Sequence, residues 1–342
     1  MQQESSSDSF SYNLQNISFI KQETYCRAIA LNNDNSILLT GNISIINVYQ
    51  FKQGRLKLIQ NLNKHKKGIT TLNFIKSGYF FSGSDDSQII MWQKYLINQT
   101  KYIQKLKNHS NSILCLILNY NENLLVSSSY DFSIKFWNLP FYNLKQWKLM
   151  QTITEHTQPV YGLSMNKEQN QIISCGYDSL ILVIEYEKCQ SLWIIKQKIN
   201  VDQWGYRVCF INTHIFTFQP CLSTQLYIYI LDQMSQQYRI HQKLPVKGGG
   251  QFCSSLFPSI FNHNNNIILI KNGSHINLIK FIAKQNNQKN EEYFFKLEQS
   301  INCKVDYYGI GNIFGTLSQD GNYLITWDAY SQQILIREYK NL

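Results

Sequence analysis

The chain has 342 residues, 44% of them hydrophobic and 16% charged, with 32 Lys and Arg against 22 Asp and Glu for a formal net charge of +10. This is the composition of a soluble globular protein: no apolar run approaches the roughly 18 residues of a membrane helix, and the N-terminus lacks the charged and apolar regions of a secretory leader, so a cytosolic or nuclear location is expected. The eight cysteines show neither CxxC pairs nor regular His/Cys spacing, which argues against a disulfide framework or a zinc site and for reduced, mostly buried thiols.

In chain order, residues 1–9 are polar and read as disordered. Phe10 to Phe19 reads as an isolated strand, followed by a worn unit in which Gln22, Cys26 to Leu31, Ile46 and Tyr49 repeat positions found later in clearer copies. Those copies carry one pattern three times: His65, Asp86, Trp92, then His109, Asp131, Trp137, then His156, Asp178, Ile184. Each histidine precedes a short apolar or alternating run, at Thr70 to Phe74, Leu114 to Leu118 and Tyr161 to Met165. A second strand follows in each copy, at Tyr79 to Ser84, Leu124 to Ser129 and Ile172 to Gly176, and enters a tight turn at the aspartate. Third strands run over Ser87 to Trp92, Ser133 to Trp137 and Leu180 to Ile184, and fourth strands over Tyr102 to Leu106 and Trp147 to Gln151.

Beyond the third copy the signature fades. Val208 to Phe210 matches the segment from Val160, with Trp204 on the histidine position, and Gln225 to Leu231 reads as a third strand. Ile267 to Lys271 and Ile276 to Phe281 pair within the next unit, and Ser318 to Thr326 with Gln333 to Tyr339 form the last. Self-similarity at a period of 43 to 48 residues marks an array of one supersecondary unit, and seven units fit between residue 20 and the end.

These residues resemble the WD40-repeat family, whose repeats each supply the four strands of a β-propeller blade. The resemblance implies an all-β, seven-bladed propeller over residues 10–342, with the N-terminal strand completing the last blade and removing its open edge. It also implies a buried hydrogen-bonded set in each good blade: His65, Ser82, Asp86 and Trp92; His109, Ser127, Asp131 and Trp137; His156, Ser174 and Asp178, shortened by Ile184. In the unit of Gln22 that network is expected to be lost.

A Ser–His–Asp set suggests a hydrolase, but a catalytic triad occurs once and this set recurs. Gly248 to Gly250 lacks the Lys-Ser/Thr and strand-to-helix context of a phosphate loop and reads as a turn between blades. No catalytic residue, cofactor or metal is expected. The resemblance instead implies a binding face formed by inter-blade loops and second-to-third-strand turns: Lys67, Asp85, Asn111, Tyr130, Gln158, Tyr177, Trp204, Tyr206 and Arg207. Aromatic and Arg side chains are typical interface anchors, while Trp204 and Tyr206 equally suit the packing of a blade without its polar network.

The expected function is a non-catalytic scaffold for one or more proteins or peptides. Trp92 and Trp137 lack the Trp-Asp-x-Arg ending of ubiquitin-ligase substrate receptors. Two alternatives stay open. One is the WD-repeat subunit of the cytosolic iron–sulfur assembly targeting complex, an analogy at the level of fold; the other is a basic propeller binding RNA or anionic lipid through lysines such as Lys64, Lys66, Lys101, Lys105, Lys107, Lys145 and Lys148.

Overall fold

A computed structural model describes residues 9–76, 78–93, 102–140, 146–250, 252–285, 291–305 and 309–341. Residues 1–8, Lys101 and Lys145 lie outside the described residues. The strands form seven four-stranded antiparallel sheets, each one blade of a propeller. Blade 1 contains Ile29–Leu31, Ile37–Asn42, Ile45–Lys52 and Arg55–Leu62, and blade 2 contains Ile69–Phe74, Tyr79–Ser84, Ile89–Gln93 and Tyr102–Leu106. Blade 3 contains Ile113–Leu118, Leu124–Ser129, Ile134–Asn138 and Lys148–Ile153; blade 4 contains Val160–Met165, Gln171–Gly176, Leu180–Glu187 and Leu192–Asn200. Blade 5 contains Gly205–Asn212, Ile215–Pro220, Gln225–Asp232 and Gln237–Pro245; blade 6 contains Ile260–Asn262, Ile267–Asn272, His275–Gln285 and Glu291–Asn302. Blade 7 combines Ile313–Leu317, Tyr323–Asp328 and Gln333–Asn341 with the N-terminal strand Phe10–Lys21, which pairs antiparallel to the last strand from Phe10↔Asn341 to Lys21↔Gln333. The expected closure is therefore present.

The sequence makes these sheets because its middle strands are apolar on both faces, as strands covered on both sides must be. Phe80 and Phe81, Leu125 and Val126, and Ile172 and Ile173 are all buried, and successive residues point to opposite neighbours. The result is seven apolar clusters, one between each pair of adjacent blades. The first strands face a central channel of about 470 Å³. Two first strands are short: blade 1 keeps three residues where Cys26 to Leu31 was expected, and blade 6 keeps three after an irregular approach.

Two further repeats hold the ring together. A glutamine stands beside the bulge of the outer strand in blades 1 to 6: Gln60, Gln104, Gln151, Gln197, Gln242 and Gln299. Four of these reach the next outer strand and clasp one residue's backbone at both groups. Gln151 donates to Trp193 O at 2.6 Å and accepts from Trp193 N at 2.8 Å. Gln104 clasps Trp147, Gln197 clasps Tyr238, and Gln299 clasps Tyr12 across the closure. On the face opposite the histidines, Asn32, Asn119 and Asn166 each accept two backbone N–H groups within the turn joining first and second strands. Neighbouring turns are also linked, as by Asn35 to Asp320 at 2.7 Å and Tyr120 N to Gln169 at 2.9 Å.

Candidate binding face

In an antiparallel blade the inter-blade loop and the turn between second and third strands lie at the same end, so the histidines and aspartates meet there. His65 Nδ1 lies 3.0 Å from Asp86 Oδ2, His65 Nε2 lies 2.7 Å from Ser82 Oγ, and Trp92 Nε1 donates to the same Oγ at 2.8 Å. Blade 3 repeats this with His109 to Asp131 at 2.7 Å, His109 to Ser127 at 2.7 Å and Trp137 to Ser127 at 2.9 Å. Only one neutral tautomer satisfies every group: Trp N–H to Ser oxygen, Ser O–H to His Nε2, and His Nδ1–H to the carboxylate. Blade 4 keeps His156 to Asp178 at 2.9 Å and His156 to Ser174 at 2.9 Å, and Ile184 ends the relay there.

Burial would raise the aspartate pKa values, yet hydrogen bonds from the histidines, with backbone donors, hold Asp86 down at about 2 and Asp131 and Asp178 below their usual range. For His109, burial outweighs Asp131 and lowers its pKa, which agrees with the neutral tautomer. Ser82, Ser127 and Ser174 are 0% exposed and already occupied by these partners, a geometry suited to fastening loop to strand.

The unit of Gln22 differs from expectation because its network is reduced and not lost. Thr40 donates to Gln22 Oε1 at 2.9 Å, Gln22 Nε2 donates to Gly41 O at 3.2 Å, and Trp327 of blade 7 donates to Gln22 O at 2.9 Å. An amide supplies both donor and acceptor, so glutamine takes over part of the histidine's duty.

Trp204 is not on the histidine position. Its carbonyl accepts from Cys221 N at 2.8 Å, as Pro159 accepts from Tyr177 N at 2.9 Å, so Trp204 corresponds to Pro159, immediately before the first strand. Gly205 then corresponds to Val160, and the expected alignment of Val208 with Val160 is out by three residues.

Arg207 departs furthest from its expected role as an exposed anchor, being 2% exposed. Its register is that of Thr71, Cys115 and Gly162, inside the ring. From there Nε donates to Phe257 O at 2.7 Å, Nη1 approaches Cys253 Sγ at 3.1 Å, and Nη2 donates to Ser254 O. The guanidinium thus satisfies carbonyls of the irregular segment before the short first strand of blade 6, a segment without a full ladder of its own.

The other face candidates occupy loops and turns at the histidine end. Lys67, Asn111 and Gln158 are exposed, and Asp85 forms an ion pair with Arg27. Tyr130 and Tyr177 are each 46% exposed. Tyr177 contacts Trp204 with ring centroids 4.4 Å apart, Trp204 contacts Tyr206 at 4.9 Å, and Tyr206 meets Tyr161 edge-on at 4.8 Å. Burial pushes the Tyr161 phenol up to about 12. Tyr161, Tyr206, Trp204 and Tyr177 form one run of ring contacts across blades 4 and 5, and Tyr130 is exposed on the corresponding turn of blade 3. Tyr161 was missed by sequence reasoning, although it occupies in blade 4 the place that Tyr206 takes in blade 5. Gly248, between blades 5 and 6, has φ +92° and would carry a Cβ 1.9 Å from Asn272 O, so glycine is required there by geometry.

No curated protein matches the chain. The sequence profile of the WD domain, G-beta repeat family matches residues 56–93, 100–138 and 147–185, each from the outer strand of one blade through the third strand of the next. This threefold match is set in a ring of seven four-stranded blades, so the chain carries three WD40 repeats within a seven-bladed β-propeller.

Proposed function

We propose that the chain is a non-catalytic scaffold that holds a protein or peptide partner on its histidine-end face, in a reducing compartment such as the cytosol or nucleus. The observation that carries this reading is the run of ring contacts through Tyr161, Tyr206, Trp204 and half-exposed Tyr177, with half-exposed Tyr130 on the corresponding turn of blade 3. Fixed aromatic rings offer contact area at little ordering cost and are enriched among binding hot spots. The opposite face has turns engaged with one another through Asn35, Asp320, Tyr120 and Gln169. The non-catalytic reading is supported by the full occupancy and burial of the serine hydroxyls in the repeated sets.

The test is tagged purification at native expression, identification of the stable partner, and binding by the doubly substituted Tyr130→Ala, Tyr177→Ala chain. We expect affinity to fall by about 2 kcal/mol or more, roughly 30-fold, with an unchanged melting temperature. Undiminished binding would remove the aromatic patch from the interface. Salt-sensitive capture of RNA or anionic vesicles, abolished by substituting Lys66, Lys67 and Lys107, would replace a protein partner by an electrostatic one.

A further inference from the structure

Beneath the aromatic patch, the interior of the ring holds two cations, Arg207 at 2% and Lys271 at 0% exposure. Among the described residues neither meets a carboxylate. Lys271 Nζ donates to Ser254 Oγ at 2.6 Å and Gly311 O at 2.6 Å, while Arg207 is satisfied by Phe257 O, Ser254 O and Cys253 Sγ. Carbonyls satisfy hydrogen bonds without neutralising charge, and uncompensated buried charge is costly. The group in contact that can ionise to an anion is the Cys253 thiol, 3.1 Å from Arg207 Nη1 on a residue bridged to Gly311.

We propose that Cys253 is held as a thiolate by Arg207 and Lys271 and is a modification site for a small hydroperoxide. The titratable and charged groups around it are Arg207, Lys271, Cys221, Cys303 and Tyr206. Burial would raise the Cys253 pKa, but Arg207 and then Lys271 more than reverse this, leaving it lowered. Cys221 and Cys303 are instead both raised to about 11, chiefly by burial, which separates Cys253 from its neighbours. Burial also lowers Lys271 to about 7, so its ammonium can release a proton near neutrality.

In the step itself, the thiolate sulfur attacks one peroxide oxygen, an S–O bond forms and the O–O bond breaks. The departing hydroxide takes a proton from Lys271 or solvent; sulfur loses two electrons and the peroxide gains them. The immediate product is the neutral sulfenic acid; where the hydroxide takes that acid's proton instead of one from Lys271, the resulting sulfenate faces both cations. Cys253 is not itself a lining residue of the central channel, but Arg207, whose Nη1 lies 3.1 Å from its sulfur, is, so a small oxidant approaches along the guanidinium.

The full-length wild-type chain is treated with limiting hydrogen peroxide at about pH 6.5 in the presence of dimedone, and the trapped sulfenic acid is measured at every cysteine by peptide mass spectrometry. Cys253 should oxidise about tenfold faster than buried Cys26 and Cys209, and faster than exposed Cys189. In parallel, ultraviolet thiolate absorbance should be present at that pH in the wild type and absent in Cys253→Ser. Arg207→Met, where it folds, should slow the oxidation at least about tenfold. Oxidation of Cys189 with Cys253 untouched, or no thiolate absorbance in the wild type, overturns the proposal; both readouts stand on the wild-type chain even if the variants fail to fold.

Discussion

Blades 2 to 4 and blades 1, 5, 6 and 7 reach one architecture with different fastenings. In the first group a buried relay ties the inter-blade loop to the strands, through His65, His109 and His156. In blade 1 an amide does this from Gln22, and in blade 5 the place of the tryptophan belongs to Tyr229, stacked on Phe216 at 4.6 Å. In blade 6, Asn277 clasps Lys247 of the incoming loop at both backbone groups, each 3.1 Å away. The comparison separates what the fold demands from what one blade can exchange. Apolar strands packed between neighbours recur at all seven interfaces, whereas the polar fitting at the loop can be rebuilt wherever donor and acceptor still balance.

The strongest way to break that comparison is to remove a strand. Deleting residues 1–21 takes away the outer strand of blade 7, with buried Phe10 and Tyr12 and the Tyr12 O–H bond to Gly321 O at 2.6 Å. The expected loss is on the order of the whole folding free energy, about 5 kcal/mol or more, with aggregation through the exposed edge. Size-exclusion chromatography and thermal melting report it; a monomer of unchanged melting temperature would show that blade 7 does not need this strand.

A smaller effect distinguishes blades within the first group. Asp131 accepts from His109, Ser110 N, Ser133 N and Ser133 Oγ, whereas Asp178 accepts from His156, Thr157 N and, weakly at 3.3 Å, Leu180 N. Asp131→Ala should therefore cost about 3 kcal/mol and Asp178→Ala about 1 to 2 in denaturant unfolding. The loss reaches Trp137 only through Ser127, since the indole does not touch the aspartate. Acid should expose the same relays. Asp86 is held at about 2, below its ordinary 3.8, so its contribution is full above about pH 4 and is lost as pH falls through 2. His109, lowered from 6.5, adds an earlier loss as pH falls below about 6.5, because unfolding lets it bind a proton. Stability that stayed flat from neutrality down to about pH 4 would contradict a neutral buried His109.

The good blades are legible in sequence because three residue types with special chemistry stand at fixed spacing. The worn blades are less so, since the signal they retain is a glutamine in the outer strand, where glutamine also serves as an ordinary solvent-facing residue. Gln151, Gln197 and Gln242 stand 46 and 45 residues apart, a rhythm that continues past the last histidine. Following it would have carried the repeat through blade 5. Arg207 was misread for another reason: successive side chains of a strand point to opposite faces of the blade, so neighbours in sequence meet different partners. Tyr206 and Arg207 are neighbours in sequence, yet one joins the aromatic patch and the other is buried against Phe257 O.

The smallest expected effect tests the glutamines. Gln151→Ala removes two partly buried bonds between blades 3 and 4 and should cost about 1 to 2 kcal/mol. Gln299→Ala, across the closure, should cost a similar amount and also raise the population open at blade 7, seen as faster amide exchange along Phe10–Lys21. Equal exchange in both variants would make the closure an ordinary joint.

That closure also sets the order in which the molecule can be finished. Blades 1 to 6 are each built from consecutive strands, but blade 7 pairs Phe10 with Asn341, the most distant partners in the sheet register. A chain growing from its N-terminus can pair the strands of six blades as they emerge, while the strand it made first waits for the one made last. During synthesis the ring is thus an open arc with two unsatisfied edges, and the interval before they meet is when chaperones and unwanted neighbours have their access.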